Sequence, residues 1–249
     1  MFSIRPFGTV LGILFCAMMA TAQTNNPTDA EAQGQQLAQK ILAQQPDRDF
    51  TNTGKLQIRG ADGTSKEVPV TFTIIVTPTN WSCLYDATFT NQSGLTGGEE
   101  LRIVHINGQP NNYLTTVLHT GISNDVLSSS DTDAFAGSDF WNDDLGLRFF
   151  QWPDQKIIKK EFMRGRGCMV LESRNPTPML GGYSRVDSWI DEEILGVVHA
   201  EAYDANGKLL KVFDPKSFKK VNGQWELQDM EIRNVQTGSR TRIEFDLGK

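Results

Sequence analysis

In the run VPVTFTIIV, apolar side chains at Val68, Val70, Phe72, Ile74 and Val76 alternate with Thr71, Thr73, Ile75 and Thr77. A period of two demands an extended strand with two faces. The next run, WSCLYDATF, places Trp81, Cys83, Tyr85, Ala87 and Phe89 on one face, and Pro78 between the runs marks a hairpin. Asn107-Gly108, Asn206-Gly207 and Asn222-Gly223 suit tight hairpin turns because both residues tolerate positive φ. Asp62-Gly63 and Thr237-Gly238 mark two more turns. The last third reads as a meander, with strands near 183–190, 196–204, 208–219, 224–235 and 239–247. Strands at this spacing, without alternating helices, predict an antiparallel sheet, sandwich or barrel.

The segments before the first strand read differently. Residues 1–22 combine an early cation, Arg5, an apolar run from Val10 to Ala20, and small residues at Ala20 and Ala22. That is the pattern of a secretory signal peptide. Residues 23–249 are then expected to form one domain. Thr28, with Glu31 three residues on, has the form of a capping box. It predicts a helix over about 28–44 that stops before Pro46, with Gly34 weakening its interior. The sheet should occupy about 50–247. From Ser123 to Leu145 the rhythm breaks into a polar, acidic, Ser-rich stretch, expected to form a short helix and a loop over an opening in the sheet.

Charge and reactive residues narrow the functional classes. Without Arg5 the 24 basic residues become 23 against 30 acidic, a net charge of −7. An acidic chain with no basic run is poorly suited to nucleic acid, whose binding rests on phosphate neutralisation, or to anionic membranes. His105, His119 and His199 lie far apart, at no metal-ligand spacing, and no cofactor fingerprint is present. Asp143-Asp144 and Glu192-Glu193 are adjacent pairs. Neighbours on a strand point to opposite faces, so they are expected to be solvated carboxylates rather than a catalytic pair. Arg164 to Gly167, RGRG, reads as a turn. Cys83 and Cys168 remain after the signal segment. In an oxidising compartment a disulfide between them is expected, two buried thiols being the alternative.

Large apolar residues recur on one face of several strands. Alternation alone leaves a sandwich core and a curved sheet around a cavity equally open. The C-terminal half adds a resemblance. The pieces are Gly137–Leu145 (GSDF…DL), a Val-Leu-Glu strand at 170–172, Y-S-x-V-x-x-W-I-D from Tyr183, and Y-D-x-N-G-K-L-L-K from Tyr203. They continue with K-x-x-x-G-x-W from Lys219 and M-E-I-x-N-x-Q-T-G from Met230, then Thr241, closing on Ile243-Glu244-Phe245. Together they resemble the outer-membrane lipoprotein-sorting family, in its LolA-like, largely uncharacterised periplasmic branch, over roughly 50–247.

That resemblance implies a mainly β fold: a strongly curved antiparallel sheet forming an incomplete β-barrel with a helical lid, LolA/LolB-like. It implies an exported, periplasmic protein of a Gram-negative-type envelope that is not an enzyme and needs no cofactor or metal. Its partners would be lipoprotein acyl chains or other lipid, with an inner-membrane donor and an outer-membrane acceptor protein. The alternative is a non-carrier module of the same fold that senses lipid or regulates. By alternation and size, Val70, Phe72, Ile74, Trp81 and Tyr85 are expected to line an apolar trough. From the second half, Phe149, Trp189, Trp225, Met230 and Ile232 join them. Leu37, Ile41, Phe135, Phe140 and Trp141 are the expected lid.

Overall fold

The structure, a computed structural model, describes residues 28–90, 96–119, 125–128, 132–221 and 224–247; the signal segment expected at 1–22 lies outside them. Helix α1 (Asp29–Leu42) begins on the capping box: Thr28 N–H donates to Glu31 Oε2 at 2.8 Å, and Glu31 N–H to Thr28 Oγ1 at 3.4 Å. Six strands follow as a meander: β1 (Phe50–Arg59), β2 (Ser65–Val76), β3 (Asn80–Thr90), β4 (Thr96–Ile106), β5 (Asn112–His119) and β6 (Asp125–Ser128). A connection carrying the one-turn α2 (Asn142–Leu145) and two 3-10 turns leads to the second meander. It comprises β7 (Asp154–Met163), β8 (Arg166–Arg174), β9 (Tyr183–Asp191), β10 (Val197–Asp204), β11 (Leu209–Val221), β12 (Gln224–Asn234) and β13 (Arg240–Phe245).

All described strands join one antiparallel sheet in the order β6-β5-β4-β3-β2-β1-β13-β12-β11-β10-β9-β8-β7. The sheet is curved and unclosed, an incomplete barrel. The first and last strands meet in its middle, with Leu56 opposite Ile243. The outermost strands, β6 and β7, are consecutive in the chain. Their connection must therefore cross the opening that the unclosed sheet leaves, and this single consequence of topology positions the candidate site.

The register follows the alternation. Phe72 faces Tyr85 across β2 and β3, Ile74 faces Cys83, and Leu101 faces Tyr85 from β4. The concave face carries Leu56, Val68, Leu101, Ile103 and Ile243, all fully buried. Gly63, Gly108, Gly207 and Gly238 take φ between 72° and 84° at the tight turns, as their dipeptides required; Asn222-Gly223 lies outside the described residues. Arg164 and Gly165 form the expected turn before β8.

Two expectations are extended, at Gly34 and in the Ser-rich stretch, and two are corrected, the disulfide and the solvated Asp143-Asp144 pair. Gly34 is not a mere weak point: a Cβ there would lie 2.5 Å from Lys156 N, because α1 packs backbone to backbone on the edge strand β7. The disulfide does not form. Cys83 and Cys168 are free and buried, on opposite faces of strands separated by eight steps in the sheet. Asp143 and Asp144 are buried rather than solvated, because the connection that holds them is folded into the concavity. Within the Ser-rich stretch, Asp125–Ser128 is an edge strand paired to β5.

Candidate functional site

The connection from Thr132 to Pro153 fills the concave face like a plug. Phe135, Phe140 and Leu145 pack among Leu101, Tyr85, Met230 and Ile243, while Phe149 and Phe150 pack with Leu37, Ala38 and Ile41 of α1. Phe140 is fully buried, and Phe135 and Phe150 nearly so. Its backbone holds left-handed conformations at Ala136 (φ 52°) and Leu147 (φ 48°), uncommon for non-glycine residues.

Polar contacts fix this plug to the sheet. Lys211 of β11 is 2% exposed. Its Nζ donates to Asp139 O at 2.7 Å and to Asp144 Oδ2 at 3.2 Å, and lies 3.4 Å from the centre of the Trp141 ring. Asp144 also accepts from Tyr183 Oη and from Trp141 N, both at 2.8 Å. Asp139 accepts from Thr241 Oγ1 at 2.8 Å and Ser239 Oγ at 2.5 Å, while its own N–H donates to Thr241 Oγ1 at 2.9 Å. Ala136 N–H donates to Glu99 Oε2 at 3.0 Å. At the far end Gln155 Nε2 holds the carbonyls of Phe149 and Trp152 at 2.9 and 2.8 Å. Buried charges persist only when paired and hydrogen-bonded, and this cluster meets that condition.

Burial dominates the ionisation of these groups. It pushes Lys211 down to about 8, against the opposing pull of Asp144, and raises Tyr183 well above the usual tyrosine range. Glu99 is raised by burial, opposed by the Ala136 amide. Asp144 also borders the cleft described next, and through Lys211 and Tyr183 it ties the plug to the sheet, so the cluster acts as a latch.

Beside the plug lies an apolar cleft of about 240 Å³ between α2 and strands β10 to β12. Its walls include Tyr85, Leu147, Phe213, Phe218, Leu227 and Met230. A larger hollow of about 600 Å³ opens between α1 and the β4–β5 turn, but its wall is rich in amides, including Gln35, Gln39, Asn107 and Gln151. Among the described residues no group of three or more His, Cys, Asp and Glu is arranged to hold a metal ion.

The expected trough residues scatter over several places. Tyr85 and Met230 line the apolar cleft; Ile232 and Phe149 border a small void next to it. Val70 and Ile74 are buried in the concave core. Phe72 packs between Tyr85 and Phe245, with ring centres 4.8 and 5.7 Å away. Trp81 stacks on His105 at 3.8 Å and faces the amide-lined hollow; burial pushes His105 down to about 4. Phe149 belongs to the plug, not to a strand. Trp189 is a correction: it sits on the convex face with Val170 and Val198, its indole donating to Glu161, because it shares parity with Arg185 and Asp187. Trp225 lies in β12 opposite Lys220, its side chain outside the described residues.

Of the expected lid, Phe135, Phe140 and Trp141 lie on the plug, and Leu37 and Ile41 sit on the buried side of α1. The latch residues Asp139, Asp144, Lys211 and Thr241 were not foreseen as a group. All four fall inside the motif pieces quoted above, which was the one available signal. Asp191, in the acidic run after Tyr183, caps the β9–β10 turn, accepting from Glu193 N at 2.8 Å and Ile194 N at 3.1 Å.

Solved structures share this architecture. A DUF1329 family protein from Desulfovibrio piger superposes with a TM-score of 0.71 at 20% identity, covering 89% of this chain and 95% of its own. A domain from Vibrio parahaemolyticus, described as outer membrane lipoprotein-sorting, gives 0.70 at 21%, covering 87% and 92%. A LolA superfamily protein from Nitrosomonas europaea gives 0.59 at 14%, covering 88% and 93%. At these identities the likeness establishes the fold, a LolA-like incomplete barrel. No curated relative matches the chain. A family model described as "Uncharacterized protein" matches residues 123–247, a span that takes in β6, the plug and the whole second meander. The chain belongs to that uncharacterised family, within the LolA-like fold.

Proposed function

We propose that the protein is an exported, periplasmic carrier of lipid or lipoprotein acyl chains. The observation that carries this reading is the apolar cleft beside a plug made largely of buried aromatic side chains. Acyl chains cross water unaided only at about 0.8 kcal/mol per exposed methylene, so a carrier must supply apolar cover. At about 240 Å³ the cleft falls short of the roughly 300–1,000 Å³ usual for ligand pockets. Loading therefore displaces part of the plug, whose phenylalanines occupy the concavity in the empty protein. Handover to an acceptor needs only a difference in affinity, with no chemistry on the cargo.

The test starts from protein purified natively from an exporting host, with co-purifying lipid identified by mass spectrometry. Delipidated protein is then titrated with a pyrene-labelled fatty acid. Saturable binding, weakened at least tenfold by Met230→Asp or Leu227→Asp in a folded variant, is the expected result. Absence of co-purifying lipid together with no saturable fatty-acid binding overturns the proposal.

A further inference from the structure

The convex face of the central strands carries a row of arginines that the fold does not account for. In the observed register Arg59 of β1 lies opposite Arg240 of β13, and Arg240 lies opposite Arg233 of β12. Parity places all three on the outside, since Ile58, Thr241 and Ile232 beside them point into the concave face. Directly opposed side chains on neighbouring strands sit about 4.5–5.5 Å apart at Cβ, and like charges so placed destabilise a sheet. Cationic residues are common on edge strands, where they block unwanted pairing. These strands are the middle of the sheet, so that explanation does not apply.

Of the nearby acids, Asp229, Glu231 and Glu67 are already committed. Asp229 holds Arg242 through a two-point contact, with Nε to Oδ1 at 2.7 Å, and Glu231 lies 3.3 Å from Lys216 Nζ. Lys55, one row further along, meets Glu67 at 3.5 Å. Among the described residues Arg59, Arg233 and Arg240 have no ion-pair partner. Between them and the next row lies a hollow of about 210 Å³, lined by Gln57, Arg59, Glu231, Arg240 and Arg242. The net charge of −7 conceals this patch, because screening limits distant acids to about 8 Å at physiological salt.

We infer that this hollow on the convex face binds a phosphate group, held by Arg59 and Arg240 with Gln57, Arg242 and the Lys216-paired Glu231 at its sides. The planar guanidinium fork matches phosphate oxygens two at a time, which a lysine does not. Arg233 adds charge from the third strand. The phosphate belongs either to a small solute or to a phospholipid headgroup, and the chemistry of recognition is the same for both.

The experiment follows thermal unfolding of the mature protein at constant ionic strength while phosphate replaces chloride. The expected result is a saturable rise in Tm for the wild type and a response at least tenfold weaker in Arg59→Gln/Arg240→Gln. Without phosphate at low salt, that variant should be as stable as the wild type or more so, since repulsion has been removed. Arg59→Lys/Arg240→Lys keeps the charge and loses the fork, so it should also bind phosphate more weakly while melting like the wild type in chloride. Sedimentation with phosphatidylglycerol vesicles distinguishes the source: arginine-dependent vesicle binding assigns a headgroup, and a phosphate response alone assigns a small solute. An equal phosphate response in wild type and variants, or no response to phosphate or vesicles, overturns the inference. Its failure leaves the carrier reading untouched, because the two sites lie on opposite faces.

Discussion

Replacing Lys211 with methionine keeps the apolar stem of the side chain and removes the charge that holds the plug. The ammonium sits 2.7 Å from Asp139 O and 3.2 Å from Asp144 Oδ2, against the face of Trp141. Removing one partner of a buried charged pair costs about 3–5 kcal/mol, because the other charge stays buried without it. Asp144 retains its contacts with Tyr183 and the Trp141 amide, which places the expected loss near 3 kcal/mol, the lower end. Lys211→Met/Asp144→Asn should recover part of that loss, with a coupling of roughly 0.5–3 kcal/mol in the double-mutant cycle.

The pH dependence gives an independent signature. Lys211 is depressed to about 8 from the ordinary 10.5, so between those values the unfolded chain holds a proton that the folded protein lacks. The contribution of Lys211 to stability therefore rises with pH across that window, by roughly 3 kcal/mol at most at ~1.4 kcal/mol per pH unit, while Cys83 and Tyr183, raised by burial, pull the other way in wild type and variant alike. The methionine variant lacks this rise, so the gap between the two widens from pH 7 to pH 10. Urea unfolding followed by tryptophan fluorescence at several pH values measures both effects. A variant as stable as the wild type at pH 7, or one whose stability follows pH in parallel with the wild type, would refute the latch.

Two further predictions concern the helix and the thiols. Gly34→Val should destabilise by about 1–3 kcal/mol through overpacking against the β7 backbone, and speed hydrogen exchange in the first residues of β7. Gly34→Ala separates the causes: helix propensity alone favours it by ~1 kcal/mol, so a measured loss reports the contact with Lys156. Cys83, its thiol pushed up to about 12 by burial, should resist alkylation in the folded protein at pH 8. Both cysteines should alkylate fully in denaturant without reductant; protection there would restore the disulfide.

Local periodicity made the sheet legible. Val68 to Val76 and Trp81 to Phe89 showed their faces, and the Asn-Gly and Asp-Gly turns showed where strands end, because both signals reside in neighbouring residues. Which face is concave is a property of the whole sheet. Trp189 was misplaced for that reason, although its company of Arg185 and Asp187 pointed outward. The latch was hidden more deeply: Asp144 and Lys211 are 67 residues apart, and nothing local reveals that a polar, acidic loop is folded inward. The arginine row likewise exists only in the register, since Arg59 and Arg240 fall on the first and last strands.

The plug also explains how a filled concavity can serve a carrier of the kind proposed. Withdrawing Phe135, Phe140 and Phe150 exposes three buried side chains, at about 1.5–3 kcal/mol each. An entering acyl chain gains about 0.8 kcal/mol per covered methylene, so roughly six to eleven methylenes offset that exposure. The apolar exchange is then near balance for a chain of ordinary lipid length. What remains is polar: the contacts of Asp139, Asp144 and Glu99 with Thr241, Lys211 and the Ala136 amide, which are lost on opening and regained on closing. Their recovery favours the empty state and supplies a driving force for release. On this reading a weakened latch, as in Lys211→Met, should load faster and release more slowly than the wild type, whereas a trough substitution such as Met230→Asp should impair loading alone.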